Sequence, residues 1–261
     1  MPYRPAKDDG KNMRLIEFSE DKRVWMPMKE VEDLVSKKEC FAGTGFMDIT
    51  EHPDLKAEDN VHYRNRQLGV SSIDYQIRHV ALVNDTYIPA LSSDDLTASI
   101  THLSSYSTRY YTSDTGVEAA AWIKQQFESV ASSYGRTDIT VSLFPHSWAQ
   151  SSVVARISGA TNPNEVIVLG AHEDSTTQAI FNKNAPGADD DASGTSTVLE
   201  VFRALVSSGF VPDRTVEFHT YAAEEVGLRG SQDIASSYAN SAVNVVAMMQ
   251  LDMTGYTGSD E

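Results

Sequence analysis

Cysteine is nearly absent from this 261-residue chain. Cys40 is the only one, so neither an internal disulfide nor a thiolate zinc site can form, and it reads as a plain free thiol. No run approaches the ~18 apolar residues of a membrane-spanning helix. The amino-terminal stretch MPYRPAKDDGKNMRLIEF also lacks the apolar centre that a signal peptide needs. Positive charge is scarce: 21 Lys and Arg stand against 37 Asp and Glu, a formal net charge of −16. A phosphate backbone would be repelled, which argues against nucleic acid as a partner. Three motifs are missing as well: the Gly-x-Ser-x-Gly elbow of serine hydrolases, the Gly-x-x-x-x-Gly-Lys phosphate loop and the dinucleotide Gly-x-Gly-x-x-Gly.

What is present is enough for one α/β domain with a smaller appendage, since 41% of the residues are hydrophobic. Organisation changes near residue 80. Before it, charge and breakers are mixed, with a strand expected at MRLIEF, a helix at MKEVEDLVSKKE and a loop at AGTGFMDITEHPDL. After it, helices are expected over SDDLTASITHLSSY and TGVEAAAWIKQQFESVASSYG, the second with a Thr115/Glu118 capping box and a terminal glycine at Gly135. Strands follow at DITVSLF, SSVVARIS, EVIVLGA, RTVEFHTYAA and NVVAMMQL. Between them lie a helix ending at Gly209, with Val198, Phe202 and Leu205 on one face, and another that opens at Glu225. This alternation predicts a three-layer α/β/α fold with a mostly parallel central sheet.

Three of the strands run straight into polar residues: His172 and Asp174 in GAHEDS, Glu224 and Glu225 in AAEEVGLRGS, and Asp252 in QLDMTGY. Asp190 lies in a fourth segment, APGADDDASG, before a helix start. Taken singly each has a plain reading: a loop histidine, a solvated acidic run, acidic residues favouring a helix N-terminus. Together they have the chemistry of a metal site. Sites in open α/β sheets collect at the carboxyl ends of strands, zinc takes imidazole and carboxylate ligands, and two metal ions about 3.5–4 Å apart need a carboxylate between them. Asp190 is the natural bridge. Calcium suits the acidic residues, but an imidazole among the donors favours a transition metal. The other histidines read as packing. His52, His62, His79 and His102 are far from the motifs, His146 sits in a loop beside Trp148, and His219 lies inside a strand where it packs against a covering helix.

GAHEDS, APGADDDASG, YAAEEVGLRGSQD and QLDMTGY resemble the secreted bacterial and fungal leucyl aminopeptidases, exopeptidases with two zinc ions. The resemblance runs from about Ile100 to Tyr256. It implies zinc ligands at His172, Asp190, Glu225 and Asp252, with Asp190 bridging, Glu224 as general base and Asp174 orienting the imidazole. It also implies a cis peptide between Asp190 and Asp191, secretion, and peptide substrates cut by a monomer that touches no membrane. The stretch RLIEFSEDKRVWM through GFMDIT resembles the fungal propeptide. Residues 1–80 are therefore expected to be a propeptide-like arm and 81–261 the catalytic domain, with a junction near Asn84 to Asp95; the plain alternative is a solvated arm with a short helix. One sequon, Asn84-Asp85-Thr86, fits a secreted protein.

The family's second zinc also uses a histidine near the C-terminus, and no histidine follows His219 in this chain. The expectation is therefore a C-terminally truncated catalytic domain whose second zinc site, with Asp190 and Asp252 alone, binds weakly. Two other readings stand beside it: an inactive fragment or pseudo-enzyme holding at most one metal, and a carboxypeptidase or glutaminyl cyclase on the same fold.

Overall fold

Runs rich in Val, Ile and Phe build the sheet that positions everything else. The computed structural model describes residues 12–19, 22–36, 46–53, 83–177 and 184–257. Strands β4 (Ile139–Phe144), β5 (Ser152–Ile157), β6 (Asn162–His172), β7 (Arg214–Tyr221) and β8 (Asn244–Gln250) form one sheet in the order β4-β5-β7-β6-β8. The sheet is mixed. β6 pairs in parallel with β7 and β8, whereas β5 is antiparallel to both β4 and β7. The expectation of a mostly parallel sheet thus holds for direction, since β5 alone runs against the rest. It misses that the short link from β4 to β5 makes an antiparallel pair, because so few residues cannot supply the long crossover that a parallel pair requires.

Helices α2 (Ser93–Leu103), α3 (Asp114–Ser133) and α4 (Ala192–Ser207) cover one face, and α5 (Arg229–Asn240) covers the other. Alternation along β5 supplies both layers: Val153, Ala155 and Ile157 face the three helices, while Val154 joins Ile234 of α5. Phe127 of α3, Phe202 of α4 and Phe218 of β7 meet edge to face, with centroid distances of 4.9 and 5.2 Å. Burying one such ring contributes about 2–3 kcal/mol. Among the described residues no helix is long and apolar enough to cross a membrane.

Two local expectations need correction. The cap of α3 is Ser113, whose Oγ accepts the Gly116 amide at 3.0 Å, and not a Thr115/Glu118 box. Gly135 and Gly209 end their helices at positive φ as expected. The last helix starts at Arg229 rather than Glu225, because Ala223, Gly227 and Leu228 all adopt positive φ and form a turn that no helix can continue.

The amino-terminal arm is better built than its composition suggests. β1 (Met13–Ser19) is flanked by β2 (Lys22–Pro27) and β3 (Met47–Asp48) in an antiparallel sheet, with α1 (Met28–Ser36) beside it. Neither β2 nor β3 is announced by hydrophobic alternation; pairing with β1 forms them. Leu15, Ile16, Val31 and Ile49 are buried, so the described part of the arm is packed and not merely solvated. The expected junction, Asn84 to Asp95, contains two short helical turns leading into α2. Cys40, His62 and His79 lie outside the described residues.

Candidate metal centre

Because β6, β7 and β8 are parallel and adjacent, their carboxyl ends open into one crevice, with His172 opposite Tyr221 and Gly170 opposite Gln250. His172 is the last residue of β6, Asp174 follows it, Glu224 and Glu225 come just after β7, and Asp252 just after β8. Asp190 arrives from the loop before α4, joined to Asp191 by a cis peptide.

These side chains meet around one imidazole edge. His172 Nε2 lies 3.1 Å from Asp190 Oδ1, 3.8 Å from Glu224 Oε2 and 3.8 Å from Asp252 Oδ1. The imidazole is 1% exposed, whereas the carboxylates of Asp190, Glu224 and Asp252 are 33%, 25% and 47% exposed and line the open side. Glu225 is turned to accept the Thr176 amide at 3.1 Å through Oε1. A ligand atom of Asp191 also comes within 4.8 Å of those of His172 and Asp252. Its oxygens, however, are already taken by backbone amides: Oδ1 by Gly194 at 2.8 Å and Met253 at 3.1 Å, Oδ2 by His172 at 3.2 Å. Asp191 is thus the N-cap of α4 and a splint between three segments, leaving Asp190 as the freer donor.

Asp174 is a second splint. Its oxygens accept the amides of Glu224 at 2.9 Å and Glu225 at 3.3 Å, and Oδ1 stands 3.5 Å from His172 Nδ1, longer than a formed hydrogen bond. Below it, Arg109 is wholly buried, and its guanidinium donates to the carbonyls of Glu173, Leu103, Pro186 and Gly187. Ser193 Oγ accepts the Thr254 amide at 2.9 Å and Asp189 Oδ1 the Gly255 amide at 2.9 Å, which holds the segment after Asp252 against the start of α4.

So many acids in one crevice shift one another. Burial pushes Glu224 up to about 7, with Asp174, Asp252 and Asp190 adding and His172 opposing. Burial likewise raises Asp191 to about 7, and raises Glu225, with Asp190 the next contributor. Glu173 rises for the same reason, only partly offset by the Thr220 hydroxyl. For His172 burial works against the charged form, yet Asp174, Asp190 and Asp252 outweigh it and hold the imidazole well above its ordinary value. Asp252 is correspondingly lowered, chiefly by its nearness to the His172 imidazole. Several carboxylates crowded round one buried imidazole are the arrangement that a bound cation would balance.

The other described histidines are engaged elsewhere. Both ring nitrogens of His219 are taken, by Tyr221 Oη at 3.1 Å and Glu217 Oε2 at 3.0 Å, and its ring packs on Tyr238 of α5 as the sequence suggests. His102 stacks on Trp122 at 4.2 Å. His146 stacks on Trp148 at 4.4 Å and shares Asp233 with His52. Two residues that matter to the site have no strong trace in the sequence. Arg109 in TRYY carries no motif, and Asp191 is visible only as an Asp before a helix start.

The segment 152–261 matches the model of peptidase family M28. Leucine aminopeptidase 1 of Coccidioides posadasii is 39% identical over 249 residues, 93% of this chain and 61% of its own length. The chain thus spans less than two thirds of that relative. Among solved structures, LapB from Legionella pneumophila is 32% identical with a TM-score of 0.74, covering 97% of this chain and 69% of LapB. The LapA aminopeptidase of the same organism is 28% identical with a TM-score of 0.73, covering 93% and 69%. With the shared fold and the carboxylate–imidazole crevice, this places the chain in peptidase family M28.

Proposed function

We propose that this chain is the zinc-dependent aminopeptidase its fold suggests, releasing apolar, leucine-type residues from the amino ends of peptides, with 81–261 as catalytic region and 1–80 as a propeptide-like arm of a secreted, monomeric enzyme. The observation that carries the reading is the meeting of His172 Nε2 with Asp190, Glu224 and Asp252 at the ends of parallel strands. Kinship with a fungal leucine aminopeptidase 1 supports the exopeptidase sense.

The donor set fits zinc: imidazole nitrogen, carboxylate oxygen and no thiolate. His172 Nδ1 is buried without a hydrogen-bond partner, and a small closing movement of Asp174 would satisfy it and fix the tautomer that leaves Nε2 free to ligate. In this assignment His172, Asp190 and Glu225 would hold one zinc, and Asp190 and Asp252 would serve a second. Zinc, when bound, supplies Lewis acidity toward the peptide carbonyl and lowers the pKa of water.

The chain's own residues do the rest. Glu224, partly exposed on the open side of the crevice with Oε2 3.8 Å from His172 Nε2, is placed to take a proton from water and hand it to the leaving amine. Asp174 fixes the backbone that carries Glu224 and Glu225 by accepting both their amides. The test is hydrolysis of leucine p-nitroanilide by the zinc-loaded chain, compared with Glu224→Gln. The variant should keep its zinc and lose on the order of 100-fold or more in kcat. Equal turnover by the variant, or a zinc-loaded chain that cyclises glutaminyl peptides and leaves leucine p-nitroanilide intact, would overturn the proposal.

A further inference from the structure

The turn that carries the Glu pair is held from outside by the amino-terminal arm. Met28, at the start of α1, packs against a cluster formed by Tyr111, Ala223 and Val226, the last two being the residues on either side of Glu224 and Glu225. The amide of Asp48 donates to the carbonyl of Gly227 at 3.1 Å, an oxygen that also accepts Gln232 Nε2 at 2.9 Å. Arg229, the first residue of α5, lies with its guanidinium 4.3 Å over the ring of Trp148 and 5.5 Å from that of Tyr111. Its Nη2 meets Glu51 at 3.2 Å and its Nε lies 3.8 Å from Asp48. Arg14 closes the set, bound to Asp48 at 2.6 Å and Glu51 at 2.5 Å.

This matters because the turn is not self-supporting. Ala223 and Leu228, both with side chains, sit at φ of 56° and 59°, and Gly227 at 106°, a combination that persists only where surroundings impose it. On its inner side Asp174 binds the amides of the Glu pair. On its outer side the arm supplies the matching grip. With the described arm in place, the carboxylates of Asp190, Glu224 and Asp252 remain partly exposed, so these arm residues do not plug the crevice.

We propose that the arm acts as a clamp on the Glu224–Glu225 turn, with Glu51, Arg229 and Met28 as positioning residues that preorganise it for metal and substrate. The idea rests on the aminopeptidase reading for its kinetic part but not for its metal-binding part. It departs from a purely blocking pro-segment, which would be expected to restrain activity.

The test uses the full chain with Glu51→Gln, Met28→Ala, the conservative Met28→Leu, and Glu17→Gln as a control whose ion pair with Arg23 is internal to the arm. Zinc affinity is measured by competition with a chromophoric chelator, and kcat and KM with leucine p-nitroanilide. Glu51→Gln and Met28→Ala should each weaken zinc binding about threefold to tenfold and lower kcat by a similar factor, with KM within twofold. Met28→Leu and Glu17→Gln should match the parent in both. Unchanged zinc affinity in both loosened variants, or a rise in kcat when the arm is loosened, overturns the clamp. Should the parent chain fail to hydrolyse the substrate, the aminopeptidase reading falls, while the zinc titrations still decide the clamp.

Discussion

Arg109 offers the sharpest test of how the crevice is held together. Its guanidinium is fully buried and donates to four backbone carbonyls, those of Glu173, Leu103, Pro186 and Gly187. Asp174, Asp191, Glu173 and Glu225 surround it closely enough to offset part of the cost that burial imposes on its charge. Arg109→Met removes every donor and the cation together. Each stranded buried carbonyl costs about 1–3 kcal/mol, and unpairing a buried charge cluster typically costs about 3–5 kcal/mol. Since neighbouring effects overlap, a total near 4 kcal/mol is expected. For a region of this size that is a fall in Tm of roughly 8–16 °C. Arg109→Lys keeps the charge but has three donors on a single nitrogen, too few for carbonyls approaching from different sides, and should recover no more than about half the loss. The assay is urea unfolding followed by tryptophan fluorescence, with the parent and both variants in excess chelator so that metal does not mask the difference. A methionine variant within about 1 kcal/mol of the parent, or a lysine variant equal to it, would refute the view that this guanidinium braces the loops of the site.

Three further outcomes follow from particular residues. Without metal, stability should peak near mildly acidic pH. Glu224, ordinarily near 4.5, and Asp191, ordinarily near 3.8, both stand at about 7 in the fold, so the folded chain binds protons that the unfolded chain does not, and stability falls as pH rises through that window. Glu51, Glu217 and Asp233 are lowered, so their contribution is present at higher pH and is lost as pH falls through their folded values; a Tm in EDTA as high at pH 8 as at pH 5.5 would contradict this. Gly227→Ala should cost about 1–3 kcal/mol, because φ is 106° and the added carbon would lie 2.6 Å from the Asp48 nitrogen; unchanged hydrogen exchange at the Asp48 amide would count against it. Asp191→Ala strands the amides of Gly194, Met253 and His172 and should cost at least about 2 kcal/mol, read by urea denaturation.

Much of this molecule is legible in its residues because the main signals are local. The runs EVIVLGA, RTVEFHTYAA and NVVAMMQL declare strands by composition, and the acids that follow them declare a site by position. The spacing of Val198 and Phe202 foretells the buried face of α4, where both are fully covered. The features that escaped depend on partners distant in sequence. β2 and β3 exist because β1 pairs with them. The start of α5 moves from Glu225 to Arg229 because the turn is held by Asp174 on one side and Asp48 on the other, 50 and 179 residues away from Glu224 and Gly227. Those bonds keep Val226, Gly227 and Leu228 out of the helix.

The sequence by itself determined the class of fold, the family resemblance and the identity of the six residues expected at the site, since strand composition and acidic motifs act over a few residues. Tertiary structure alone decided that Asp191 is a splint. Asp190 and Asp191 are identical side chains one peptide apart, and only the amides of Met253, Gly194 and His172, gathered from three separate segments, make the second a structural anchor.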